Sequence, residues 1–588
     1  GGVWRSDDAG LSWRSLMDSF DRDPTNVASA SLVCGAIAID SANPDRIYVG
    51  TGEGDTDQLF ANRIVNALPA YRGIGPIRSD DGGATWVQET SNPSLAGFAF
   101  FQIAVDPVNA EHCVAATTQG LYDLVASGGG FTWQRRRTPT HASVVVARSG
   151  GVTRWFAAEW GGGVYTSTNG SSWSALGTGL PTGIGRIALA VQPDNPNVLY
   201  AMVADTLGAL HSVRRLDGAA GAWKNVASPP NVLPTDSQGN SQGDYDLCIA
   251  VDPNDANRIY LGGSYFNASP FPGSIWRCTV SVSGSAYTMA GTSIGEQAHA
   301  DVHCLVHAAG SSSVLWAGTD GGAYVHASAT GTGTFEHRNT GLATLCTNFL
   351  GQHPLEAAVM YVGLQDNGTA KGTGEQVWRH VLFADGGYCV VNWADPFRVL
   401  LFANGSLYRA TDGGLDWSSW TDVTPSGAAW VVMAAPIVGT PVNTAAPAQA
   451  ETVAYAAGTP NTATAPGQTI IYFSTDFGAT WPATRRVTLP AASGRVFAMS
   501  FASPTRLFAG TTNGRVFRVD FAAGAWTATR LDNAAAGTLP LAGLITDIAV
   551  DRSDATLSSI FIAFGGTGDF RHVWRFNGTQ WQARSGTA

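Results

Sequence analysis

At 588 residues the chain exceeds what one ordinary hydrophobic core organises, given a prior of roughly 150 residues per domain, so several units or a repeat architecture are expected. Charged residues are only 13% of the chain, with 70 glycines and 19 tryptophans, a profile of many short strands and tight turns that reads as all-β. A formal net charge of -11, with no Lys/Arg run beyond the three arginines at 135–137, argues against a nucleic-acid partner, and no apolar run approaches the ~18 residues of a membrane span.

The chain opens on "GGVWRSDDAGLSW", whose last eight residues follow S-x-D-x-G-x-[ST]-W. The pattern returns as "SDDGGATW" (Ser79 to Trp86), "ATDGGLDW" (Ala410 to Trp417) and "STDFGATW" (Ser474 to Trp481). Weaker copies end at Trp133, Trp173, Trp223, Trp378, Trp526 and Trp581. Such a stretch is a hairpin: Ser and Asp side chains satisfy turn backbone groups, Gly supplies a positive φ, and Trp packs between neighbouring sheets. Its acids Asp8, Asp81, Asp412 and Asp476 are therefore expected to serve the turn.

Upstream of the hairpins stands a second signature, as in "GAIAIDSANPDRIYVGTGEG" (35–54), "QIAVDPVNAEHCVAAT" (102–117) and "CIAVDPNDANRIYLGG" (248–263). An apolar strand, a turn and a second apolar strand precede the hairpin, making four strands per unit, one propeller blade. Units start near residues 31, 99, 141, 183, 243 and 299, making seven with the partial unit at 1–30, and again near 344, 385, 431, 494 and 541. The expectation is two tandem seven-bladed β-propellers, 1–343 with an incomplete first blade and 344–588 continuing beyond its five visible blades. A single ring of ten to twelve blades is the alternative. The Ala/Pro/Thr-rich segment 439–451 reads as a loop inserted within a blade. The seven cysteines are scattered with no C-x-x-C pair, and buried free thiols are expected.

The hairpin pattern resembles the Asp-box, or BNR, repeat of sialidases, sortilin-type receptors, photosystem assembly factors and xyloglucan-degrading glycosidases, all of them β-propellers. The combination of "GTGEG", "YDLCIAVDP", "HADVH", "LQDNG" and "DGG" is similar to that of secreted bacterial BNR-repeat proteins, over nearly the whole chain. That resemblance implies an extracellular or cell-surface location, with the periplasm as alternative, and a shared central site. The Arg triad and R-I-P segment of sialidases have no counterpart in the right order, and the Cys-rich module that follows sortilin-type propellers is missing from the sequence given.

Most first strands of the blades are apolar, which marks the polar exceptions as candidates. "EQAHADVHCLV" (296–306) puts His299, Asp301 and His303 at alternate positions, expected on one face of a strand, where imidazoles favour zinc and added carboxylates also admit calcium or manganese. "SQGDYDL" with Asp246 and "VGLQDNGT" with Gln365 and Asp366 are candidate ligand-binding segments. "AGTDGGAY" with Asp320 and "FADGGYCVV" with Asp385 partly resemble the segments that carry one catalytic Asp in each propeller of the xyloglucanases, each copy one residue short. The resemblance implies Asp320 and Asp385 as the two carboxylates of a glycoside hydrolase. The preferred reading of the sequence is nevertheless a binding or scaffold protein, whose propeller face holds a glycan or protein partner within a larger extracellular assembly. The hydrolase is the alternative.

Overall fold

The computed structural model describes residues 1–18, 27, 31–55, 71–127, 130–218, 221–235, 239–266, 271–375, 377–428, 435–458, 468–532, 539, 543–565 and 572–585. The chain divides into two compact units, Gly1–Thr344 and Leu345–Ala588. No helix among the described residues is long and apolar enough to cross a membrane.

Unit 1 is built of four-stranded antiparallel meanders spanning 34–88, 100–137, 141–175, 184–227, 248–293 and 302–337. Their first strands, from Cys34–Ile39 through to Val302–His307, lie side by side in chain order, the radial packing of a β-propeller. Second strands such as Ile47–Thr51 are buried along their whole length because blades cover both faces, which is why they read as unbroken apolar runs. Core clusters accordingly draw on two successive blades; Val213 and Leu233 pack with Ile259 and Cys278, for example.

The hairpin motif does locally what its spacing requires. Ser79 Oγ donates to Asp81 Oδ1 at 2.7 Å and accepts from Gly83 N at 2.8 Å, while Asp81 accepts from both the amide and the hydroxyl of Thr85, at 2.9 and 2.6 Å. The same net recurs at Asp8 and Asp476. Gly83 has φ +89, and a Cβ there would lie 2.4 Å from Leu16 Cδ1, so glycine serves both the turn and the neighbouring blade. Asp81→Ala removes these acceptors from a largely exposed turn and is expected to cost about 1 kcal/mol, read as a lower guanidinium midpoint. An unchanged midpoint would show the turn to be held by its glycine alone.

The motif's tryptophans stitch blades together. Trp86, Trp223 and Trp581 each donate the indole N–H, at 3.1 Å, to a backbone carbonyl of the preceding blade: Leu16, Leu176 and Leu531. An N-terminal ribbon, Trp4–Arg5 paired with Arg14–Ser15, uses the same contact in the other direction, with Trp13 Nε1 donating to Arg338 O at 2.6 Å. The ribbon thereby joins the 34–88 blade to the 302–337 blade across more than 300 residues of sequence.

Unit 2 contains meanders at 347–382, 386–422, 437–488, 496–530 and 545–583. Aromatic groups link its inner strands: Phe349 stacks on Tyr388 with centroids 3.7 Å apart, and Tyr388 OH donates to Phe497 O at 2.6 Å. Within 439–451 the chain is ordered by the short 3-10 helix Pro447–Glu451, whose Glu451 accepts from Arg398 at 2.6 Å. Two expectations need correction here. Cys113, Cys248, Cys278 and Cys389 are buried free thiols, but Cys304 and Cys346 are exposed. In "ATDGGLDW", Trp417 is exposed, and Trp420 takes its packing place, donating to Val381 O at 3.0 Å.

Candidate acid-base site

The inner strands of unit 1 line a cavity of about 480 Å3 to which mostly apolar residues contribute, including Ile103, Val145, Leu189, Ile249 and Val306. Polar groups gather instead where chain segments enter or leave these strands. Asp244, Tyr245 and Asp246 precede Cys248–Asp252, His299 and Asp301 precede Val302–His307, and Asp320 lies in the turn between Leu315–Thr319 and Gly322–His326.

Asp301 has φ +58, in the left-handed region, and the strand begins only at Val302. The expected alternation of His299, Asp301 and His303 along one strand face therefore does not occur. Two backbone bonds hold the turned residue: Asp301 N donates to Ser264 O at 2.9 Å, and Asp301 O accepts from Asp320 N at 3.2 Å. His299 packs over Gly321, where a Cβ would lie 2.3 Å from its Cγ, so the first glycine of "TDGG" makes room for the imidazole. Folding nonetheless brings His299 and His303 within range of the Asp301 charge.

Asp320 is the hub. Its Oδ1 lies 2.7 Å from His303 Nε2 and its Oδ2 accepts from Tyr245 OH at 2.8 Å, while the Tyr245 and His303 rings meet edge to face with centroids 4.6 Å apart. Arg186 fixes the tyrosine by donating to the carbonyls of Tyr245 at 2.6 Å and Asp244 at 3.2 Å, and pairs with Asp55 at 3.2 Å. With both oxygens engaged by donors, Asp320 is suited to hold an imidazolium rather than to give up a proton.

Burial pulls the His303 pKa down, but the hydrogen bond and charge of Asp320, with Asp55 and Glu53, outweigh it and raise it above the ordinary value. Burial and the Asp320 charge keep the Tyr245 phenol protonated. Asp246 is wholly buried beside Asp301, and burial with that neighbouring charge drives its pKa well up. Both Asp246 oxygens and Asp301 Oδ1 lack a hydrogen-bond donor as carboxylates. A proton kept on Asp246 and donated to Asp301 satisfies this contact; that bond works to lower the Asp301 pKa, but burial and the Asp320 charge outweigh it and push the group up to about 6. The unit 1 carboxyls that could help hold a divalent ion are Asp301 and Asp320, whose oxygens lie within 4.8 Å of each other.

Glu53 completes the group. It follows the strand Ile47–Thr51, its amide donates to Tyr71 O at 3.0 Å, and burial together with Asp55 raises its carboxyl to about 7, against the opposing charge of His303. Glu53, Asp55, Arg186 and Tyr245 were not singled out from sequence. The one local signal is "GTGEGD", where Glu53 and Asp55 stand at the places of Gln119 and Leu121 in the next blade.

Glu53 and Asp301 have folded-state pKa values above their unfolded ones, and so has His303. Each adds stability that is complete below its unfolded pKa and is lost as pH rises through its folded value. The hairpin acids Asp81 and Asp476 are lowered, and their contribution is lost only as pH falls below the ordinary carboxylate range. Unit 1 is therefore expected to melt highest near pH 5 and progressively lower towards pH 8 in scanning calorimetry, with Glu53→Gln flattening the decline. A midpoint that rises steadily from pH 5 to 8 would contradict the raised carboxyls.

The unit 2 candidates form a turn. Asp385 Oδ1 accepts from Asp366 N at 2.9 Å, Asp385 O accepts from Asn404 N at 3.1 Å, and Gln365 O accepts from Asn367 N at 2.7 Å. Asp366 has φ +57. Asp385 thus braces "LQDNG" in unit 2, while Asp320 anchors the cluster of unit 1.

No family model matches the chain, and no curated protein matches it either. Solved structures do. A GH74 xyloglucanase from Xanthomonas campestris superposes with a TM-score of 0.61 at 18% identity, over 99% of this chain and 83% of that one. An ancestral GH74 enzyme gives 0.54 at 17% identity, over 99% and 73%. What is shared is the β-propeller fold. At this identity the likeness carries no residue roles, which must come from the site itself.

Proposed function

We propose that the protein acts on glycans as a glycoside hydrolase-like propeller, with its proton-transfer groups in unit 1. The observation that carries this reading is Glu53, a half-buried carboxyl raised to about 7 beside the paired Asp320 and His303. Glycosidic cleavage needs one carboxyl that still holds its proton near neutrality and a second that is ionised, and separated environments supply that pair. Glu53 gives its proton to the leaving oxygen as the anomeric C–O bond breaks. Asp301 accepts the proton of the water that attacks the anomeric carbon. Asp320, His303 and Tyr245 keep the local charge balanced, and Asp246 holds Asp301 in place.

The likeness to a xyloglucanase supports a polymeric glycan as the substrate class. Such a polymer does not cross a membrane, so the proposed place of work is outside the cytoplasm. The test is reducing-end release from a panel of soluble β-glucans, with xyloglucan among them. Release that disappears in Glu53→Gln supports the hydrolase. Retained glycan binding with no release from the unaltered protein would sink it in favour of a binding protein.

A further inference from the structure

We infer that the rim of unit 2 carries a polysaccharide-binding platform built on Trp417 and Phe383. Tryptophans of the hairpin motif are normally packed between blades, as Trp86, Trp133 and Trp223 are, but Trp417 is 56% exposed. The cause is local. Where other copies have Ser12, Thr85 or Thr480, this one has Asp416, whose carboxylate accepts from Ser418 N at 2.8 Å and caps the 3-10 turn Trp417–Ser419. That turn carries Trp420 into the packing slot, against Gly414, where a Cβ would lie 2.2 Å from the indole. Trp420 now does the structural work, so nothing in the fold requires an aromatic ring at 417.

Other rings surround it. Phe383 is 60% exposed and lies 4.9 Å from Trp417 at 55°, His380 meets the edge of Phe383 at 4.6 Å, and Trp378 is partly exposed against Gly372. Arg379 donates to Leu415 O at 2.9 Å, tying the 379–383 segment to the hairpin. The result is a rigid, twisted pair of aromatic faces flanked by polar edges, held by caps and backbone contacts rather than by burial.

The occupant is argued from area and chemistry. Three aromatic side chains of about 150–250 Å2 each, roughly half exposed, offer on the order of 300 Å2, well short of the ~800 Å2 per partner of a standard protein interface. A pyranose ring needs far less: its C–H face stacks on an indole or phenyl face while its hydroxyls remain with water or His380. Two faces inclined to each other suit successive units of a twisted glycan chain better than one flat surface.

The platform does not depend on catalysis in unit 1. Affinity electrophoresis of the full chain through gels containing xyloglucan, mixed-linkage β-glucan or galactomannan tests it. Retardation by at least one polymer is expected, with dissociation constants about tenfold weaker in Trp417→Ala and in Phe383→Ala and a smaller loss in Trp417→Phe. Glu53→Gln should remain fully retarded, and Trp417→Ala should still act on short oligosaccharides, which separates failure here from failure of the hydrolase reading. Retardation unchanged in the double Ala variant would overturn the platform. So would a self-association, seen by sedimentation, that the double variant abolishes, because a second copy of the chain would then be the occupant.

Discussion

Glu53→Gln is expected to lower reducing-end release by about 100- to 10,000-fold, the span of a general acid's contribution, with little change in KM. Glutamine keeps the shape and a hydrogen-bonding amide but cannot transfer the proton. The wild-type rate should fall as pH rises through about 7, where burial and Asp55 set the Glu53 carboxyl, and this limb should vanish from the residual rate of the variant. The segment around Glu53 explains why the group is so placed. A Cβ at Gly52 would lie 2.5 Å from Phe98 O and one at Gly54 would lie 2.7 Å from Phe101 Cζ, so between Thr51 and Asp55 only position 53 carries a side chain. A variant that keeps wild-type turnover with an unshifted pH limb would remove Glu53 from the mechanism and return the question to Asp301.

The second large effect concerns stability. Trp86 is fully buried, packs with Val3, Leu16, Met17, Ile47, Val49 and Ile77, and donates its indole N–H to Leu16 O. Trp86→Ala empties the contact between the N-terminal ribbon and the 34–88 blade, and large-to-small truncation of this kind costs about 3–5 kcal/mol. Guanidinium unfolding of unit 1 should register that loss, while Trp417→Ala, at the same motif position in unit 2, should stay within about 0.5 kcal/mol of wild type. A loss below about 1 kcal/mol for Trp86→Ala would mean that the ribbon does not close the ring of unit 1. Equal losses for the two tryptophans would contradict the exchange of Trp417 for Trp420.

Much of the fold was legible because its signals are short-range. The hydrogen-bond net of Ser79, Asp81, Gly83 and Thr85 joins residues two and four apart, so the spacing S-x-D-x-G-x-[ST]-W already contains its geometry. Paired apolar runs around a turn specify antiparallel strands covered on both faces, and the all-β propeller class follows from their repetition. Local exceptions escaped for an equally local reason. Asp416 in place of Ser or Thr starts a 3-10 turn that the pattern does not encode, and the left-handed Asp301 breaks a strand that alternation alone would extend to His299.

The acid-base site belongs to another category. By itself the sequence determined the all-β class, the blade repeat, the turn duty of Asp8, Asp81 and Asp476, and the polarity of the segments around Asp246, His303 and Asp320. Only the tertiary structure decided which carboxyls keep protons. Glu53, Arg186, Tyr245, Asp301 and Asp320 come from four blades and span more than 260 residues of chain, and the charge state of each is set by burial and by the others. A pKa depends on distance and desolvation in space, which residue spacing along a strand cannot express, whereas a turn depends on neighbours in sequence, which it can.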